Sequence, residues 1–290
     1  MISRTIARPR PAPRRSLPAR ADASGQERRQ KNMWEITIRD FVDLQTAALE
    51  DVWNEKLHRY RDNRVYRGMG NSKWTLEPAL NRACRHDLGL ERHMLRSFRK
   101  YGFADLQQTT SFWQTAAMAQ QYGLPTRLLD WTYSPLVAAH FATEDVSMYN
   151  RDGVIWCVDV DKVNEHLPAA LREMLDRIGD SYDALNAFSR EPYAFFFEPA
   201  STVNRIANQY ALFSLTTDPA VLIHELPGLQ DCFSRIIIPK ETKLEIRDKL
   251  DYINISERMI YPGLDGICKW ITRRYADLGP TYNKQDKREE

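Results

Sequence analysis

The sequence predicts an α+β fold, a mixed sheet flanked by helices, and three observations carry that prediction. Strand-length apolar segments and segments of helical period are mixed along the chain without regular β-α-β alternation. Gly153–Val160 is apolar on both faces, the pattern of a central strand. No GxxxxGK loop occurs and no GxGxxG follows a strand, which disfavours a P-loop enzyme and a dinucleotide-binding fold of the usual kind.

The elements follow in chain order. Thr37 with Asp40 three residues on has the form of a helix start, and Phe41, Leu44, Ala48 and Val52 share one helical face. Val65 and Tyr66 begin a strand that ends at Arg67-Gly68-Met69-Gly70, and Leu76–Arg82 reads as a loop or short turn around Pro78. Leu90–Leu106 is helical, with Met94, Leu95, Phe98 and Tyr101 inward. Phe112–Tyr122 is helical too, with Gly123 placed as its C′ residue. Thr126–Trp131 is a short strand. Ser134-Pro135 then starts a helix, because Ser caps well and Pro suits the first helical position. Val163–Leu175, Lys243–Leu250 and Leu264–Tyr275 have helical period; Tyr193–Phe197, Leu212–Thr216 and Arg235–Ile238 have strand character.

The chain has 290 residues, 43% of them hydrophobic and 11% aromatic, values of a globular protein rather than a disordered one. No apolar run approaches the ~18 residues that a membrane span requires, and the expected location is cytoplasmic. Cys84, Cys157, Cys232 and Cys268 are scattered without a CxxC pair, so a zinc ribbon is not expected. Cys157 and Cys268 read as small core residues.

Charge is uneven. Residues 1–32 carry +7 and the remainder −5. The first segment is rich in Arg, Pro, Ala and Ser, and is expected to be a disordered basic tail. A start of translation at Met33, a phosphate-attracting arm making weak nucleic-acid contact, and an organelle transit peptide are alternatives for it. The expected domain spans residues 34–278, followed by a charged tail at 279–290.

Four clusters carry polar chemistry. Tyr66-Arg67-Gly68 sets a guanidinium at the end of a buried strand, where it needs an anionic partner: an internal acid, or a carboxylate or phosphate from a ligand. Gly68 and Gly70 allow close backbone approach. Ala119–Thr143 contains Gln121, Thr126, Arg127, Asp130, Trp131 and Thr132 around a helix end, a short strand and a second helix start. Two roles fit this junction. Asp130 holds the turn, accepting from backbone N–H groups or from Arg127, or the group lines a cleft with Trp131 as aromatic wall. Asn204–Phe213 leads polar groups, Gln209 among them, into an apolar strand. In Tyr261–Ile267, Asp265 reads most simply as a first-turn acid. No Ser–His–Asp order, HExxH motif or metal-ligand cluster appears, and His140 reads as a helix residue rather than a catalyst.

These clusters, in this order, resemble the FRG domain family, named for an aromatic-Arg-Gly motif that stands here as Tyr66-Arg67-Gly68. The long match is GLPTRLLDWT followed by SPLVAAHFA; the Arg205–Gln209–Phe213 and YPGLDG segments complete a resemblance over roughly residues 36–275. The family is mostly bacterial and phage. It often carries His just before the aromatic-Gly-Leu-Pro stretch, where this chain has Gln121, so a His-dependent proton transfer does not carry over.

The layout is also similar to an ADP-ribosyltransferase core. Such a core places an Arg on its first strand for the NAD phosphates, small polar residues on a second strand running into a helix, and a Glu on a later strand. Arg67 matches the first part and Asp130-Trp131-Thr132 the second. The third falls near Asn208–Tyr210, where no Glu stands; Asp130 or Glu198 substitutes, or the site binds without reacting. The resemblance implies a nucleotide ligand, with NAD as substrate and no required cofactor. In that reading Asp130 and Gln209 are catalytic, and Arg67, Gly68, Gln121, Thr126, Arg127, Trp131 and Thr132 bind substrate. A non-catalytic module for protein or nucleic acid is the alternative.

Overall fold

The structure is a computed structural model that describes residues 34–84, 87–103, 106, 112–169, 171–173, 191–198 and 211–276. The expected tails at 1–32 and 279–290 lie outside the described residues.

Among the described residues, nine strands appear: β1 (Trp34–Thr37), β2 (Trp53–Asn54), β3 (Arg59–Tyr60), β4 (Arg64–Met69), β5 (Leu129–Thr132), β6 (Gly153–Asp159), β7 (Ala194–Phe197), β8 (Ala211–Thr216) and β9 (Phe233–Ile238). Seven form one sheet in the order β1-β9-β6-β4-β5-β8-β7, and β2 and β3 make a separate hairpin. β1 runs parallel to β9 and the other pairs are antiparallel, so the sheet is mixed. β6 lies between β9 and β4, as its apolarity on both faces requires.

Helices cover the sheet: α1 (Phe41–Leu49), α2 (Ala79–Ala83), α3 (Leu90–Tyr101), α4 (Phe112–Gln121), α5 (Pro135–Thr143), α6 (Val160–Glu165), α7 (Lys243–Tyr252), α8 (Glu257–Ile260) and α9 (Leu264–Arg274). On one face, Tyr66, Ile155, Cys157, Ile236 and Ile238 pack with Leu44, Ala138, Ala139, Ala142, Ile246 and Leu250 of α1, α5 and α7. On the other, Val65, Val154, Trp156 and Val158 pack with Leu76, Val163, Ile223 and Leu226. Leu95 of α3 and Trp113, Ala116 and Ala117 of α4 bury against Phe195 of β7 and Phe213 and Leu215 of β8.

Several expectations shift. Thr37 belongs to β1, paired with Ile237, and Asp40 caps α1 instead by accepting from the Asp43 N–H at 2.8 Å. The turn around Pro78 contains α2. The helix expected over Val163–Leu175 starts at Val160, capped by Asp159, and breaks after Glu165, with residues 169 and 171–173 helical again. Tyr101 is exposed rather than inward, and Cys268 is exposed rather than in the core. Ser134 caps α5 as expected, accepting from the Val137 N–H at 3.3 Å, with Pro135 next to it. No helix among the described residues is long and apolar enough to cross a membrane.

Candidate functional site

β4 pairs with β6 along its whole length, from Arg64 to Met69, but with β5 only at Tyr66 and Thr132. Beyond that pair the two central strands part. A cavity of about 260 Å³ fills the wedge, lined by Tyr66, Arg67, Gly68, Gln120, Gln121, Asp130, Trp131, Thr132, Phe141 and Tyr261. Parting the strands removes ladder partners, and a strand carbonyl without one must find another donor. Arg67 supplies it, donating from Nη1 to the Asp130 carbonyl oxygen at 2.7 Å and to Asp130 Oδ2 at 3.3 Å. The guanidinium is therefore a splint across the opening as well as a cation within it.

The other carboxylate oxygen is held from α4. Gln120 Nε2 donates to Asp130 Oδ1, and the Thr126 hydroxyl donates to Gln120 Oε1. The turn after α4 makes this return path. The Gly123 N–H donates to the Gln120 carbonyl at 2.9 Å and the Leu124 N–H to the Ala119 carbonyl at 3.0 Å, with Gly123 at φ +90°. This is a Schellman turn; it reverses the chain so that Thr126 comes back over Gln120. Asp130 is thus fixed through both oxygens, each with a lone pair left over. Phe141 of α5 and Tyr261 form an edge-to-face aromatic wall, with ring centres 6.4 Å apart. The Tyr261 hydroxyl is anchored on Glu144 at 2.8 Å.

Of the residues singled out in the sequence, Arg67, Gly68, Gln121, Asp130, Trp131 and Thr132 line this one cavity. Gly68 serves packing: a Cβ there would lie 1.7 Å from the Ala138 carbonyl oxygen of α5. The Trp131 ring turns into the core, as its alternation with Asp130 and Thr132 requires: it is 2% exposed beside Phe196 and donates from Nε1 to Ser214 Oγ at 2.8 Å. It is therefore not the aromatic wall. Thr126 and Arg127 are buried away from the cavity. Arg127 pairs with Glu91, not with Asp130. The Thr132 hydroxyl accepts from the Ser134 N–H at 3.1 Å, fixing the start of α5. Gln209 lies outside the described residues. Glu198 is exposed and accepts from the Tyr133 hydroxyl at 2.5 Å.

Sequence reasoning missed Gln120, Phe141 and Tyr261 as site residues. The adjacent glutamines at the end of a helix were the available signal for the first. The other two stand inside clusters read from the sequence, Phe141 in Ala119–Thr143 and Tyr261 at the start of Tyr261–Ile267, but they meet at one cavity only because α5 and the chain after α8 converge.

A larger depression of about 810 Å³ opens at the far end of β4 and β6, lined among others by Trp34, Trp53, Arg64, Asp159 and Asp231. Three of its polar contacts are local: Arg64 pairs with Asp62, Lys162 with Asp159, and the Asn63 amide donates to Asp161. They do not converge on a common point as the wedge residues do. No group of three or more His, Cys, Asp or Glu among the described residues is placed to hold a metal.

Residues 62–151 match the family model of the FRG domain. The chain carries an FRG domain. The matched span contains β4, β5, α4 and α5, so the FRG domain supplies every wedge residue except Tyr261. The Arg205–Phe213 and Tyr261–Gly266 segments lie beyond it. Comparisons with curated proteins and with solved structures find no match.

Proposed function

We propose that this FRG domain handles nucleotides as an enzyme of the ADP-ribosyltransferase or NAD-glycohydrolase type, with the wedge between β4 and β5 as its active site. The observation that carries the reading is the shared placement of Arg67 and Asp130 at one cavity, with Asp130 fixed from both sides. Among the described residues Arg67 donates only through Nη1, and it is partly exposed, which leaves Nη2 for an acceptor such as a phosphate oxygen. At about 260 Å³ the cavity lies just below the ~300–1,000 Å³ of pockets for drug-sized ligands. It suits one ring and part of a sugar, with the rest of a dinucleotide outside.

In this reading the C1′–N bond of the nicotinamide riboside breaks and its electron pair leaves with the ring nitrogen. The Asp130 carboxylate faces the oxocarbenium-like centre and lowers its energy electrostatically. The oxygen of water or of an acceptor hydroxyl adds to C1′ and its proton passes to solvent. The wall of Phe141 and Tyr261 lies to one side of the base. Gln209, two residues before the Ala211 that pairs with Thr132, is assigned to the ribose. No cofactor is needed beyond NAD as substrate.

A second reading is a recognition module for protein or nucleic acid, with the basic residues 1–32 aiding encounter. The mutual pairing of Arg67 and Asp130 favours it, since charges that satisfy each other need no substrate. One experiment separates the two. Purified protein is incubated with NAD and nicotinamide release is followed, with Arg67→Ala and Asp130→Asn as controls. Release that falls about 100-fold or more in Asp130→Asn supports the enzyme. Neither binding nor turnover of NAD by the wild type removes it.

A further inference from the structure

Two adjacent glutamines line the wedge in opposite hydrogen-bonding states. The Gln120 amide is engaged at both ends: its oxygen accepts from Thr126 and its nitrogen donates to Asp130. Gln121 lines the same cavity, and its side-chain amide bonds to no described residue. The last turn of α4 and the turn at Gly123 fix its backbone, so the amide is presented from a rigid base.

A primary amide shows a donor and an acceptor side by side. Its best planar partner shows the same pair reversed, as a carboxamide does. A carboxylate shows two acceptors, and one of them would face the Gln121 oxygen. We propose that Gln121 reads the carboxamide of the departing base and so makes the site selective for a nicotinamide-bearing dinucleotide over its nicotinic-acid analogue. This rests on the reading of the wedge given above and adds a specificity-determining residue to it. Position supports the assignment: Phe141 and Tyr261 give the cavity an aromatic wall, and among the described residues Gln121 offers the one amide at that cavity not already engaged.

The test is calorimetric binding of NAD and of its nicotinic-acid analogue to the full chain, as wild type, Gln121→Leu and Arg67→Ala. The wild type is expected to prefer NAD by about tenfold, the effect of one well-placed hydrogen-bonded pair. Gln121→Leu is expected to lose most of that preference by weakening NAD, with the analogue little changed. Arg67→Ala is expected to weaken both ligands alike. If Arg67→Ala weakens both but Gln121→Leu keeps the full preference, the site reading stands and the role of Gln121 is overturned. Equal wild-type affinity for the two ligands overturns it as well. If the wild type binds neither, both proposals fall. A thermal melt of Gln121→Leu matching the wild type attributes the change to recognition, since the Gln121 amide bonds to no described residue.

Discussion

Arg127 and Glu91 form a buried ion pair across 36 residues of sequence: Arg127 Nε donates to Glu91 Oε2 at 2.5 Å and the Arg127 backbone N–H to Glu91 Oε1 at 2.8 Å. Arg127 Nη1 also donates to the Thr217 carbonyl at 3.1 Å. The pair ties α3 to the turn before β5 and to the end of β8. Removing Glu91 leaves a buried guanidinium without its counter-charge. Glu91→Ala should cost about 3–5 kcal/mol, read as a fall in Tm of roughly 10 °C. The double replacement Glu91→Leu with Arg127→Met should cost less than the single one, because no charge is then stranded. A single-variant cost below about 1 kcal/mol would contradict the pairing.

Gly68→Ala tests the packing of α5 on β4. The added Cβ would overlap the Ala138 carbonyl oxygen and approach the Ala142 N–H at 2.8 Å, both backbone atoms that cannot swing aside. The helix must lift from the strand, at an expected cost of about 3 kcal/mol or more. Gly70→Ala is the contrast, since it meets only the Met148 side chain at 3.3 Å. Urea denaturation of the two variants should separate them clearly.

Much of this fold was legible because local rules decide it. The Ser134-Pro135 start of α5 and the Gly123 turn follow from capping chemistry, and the central place of β6 follows from apolarity on both faces. The site was legible in part. Arg67 and Asp130 stand in polar clusters that bound a strand end, and the wedge holds both. Partner choice was not legible. Arg127 and Arg67 look alike in sequence, yet one meets Glu91 from α3 and the other meets Asp130 across parted strands. Whether Trp131 faces cleft or core depends on the strand register, which a shift of one residue inverts. Thr37 and Asp40 are both capable N-caps, and the pairing of β1 with β9 decides between them.

Thr126→Val should weaken the site without touching the cavity. Valine keeps the shape but removes the hydroxyl that holds the Gln120 oxygen, so the Gln120 amide loses the orientation that presents its nitrogen to Asp130. The variant should lose about 1–2 kcal/mol of stability, and whatever affinity Asp130 supports should fall with it. The Thr126→Val and Gln120→Leu effects should be strongly non-additive, since each breaks the same chain. Additive losses in a double-mutant cycle would show that the three residues do not act as a unit.

His140 sets an acid limit on stability. It is fully buried on α5, and Arg247 Nη1 lies 2.6 Å from its Nδ1. A guanidinium has no acceptor, so Nδ1 must accept and the ring proton sits on Nε2, 3.3 Å from Glu144 Oε2. Burial above all, with the Arg247 charge, holds the His140 pKa below its ordinary value, although Glu144 pulls the other way. The unfolded chain then takes up a proton at a pH where the folded protein does not. Wherever the unfolded state binds more protons, stability rises with pH. The contribution is therefore intact above pH ~6.5 and declines as the pH falls from there toward the folded-state value, by at most about 1.4 kcal/mol per pH unit. The comparison is between wild type and His140→Gln, whose side-chain oxygen can still accept from Arg247 but cannot titrate. Unfolding free energies measured from pH 7.5 to 5 should converge as the wild type loses its advantage. Parallel curves would mean that His140 takes up its proton as readily in the folded protein as in the unfolded chain, and that the Arg247 contact is not the hydrogen bond described.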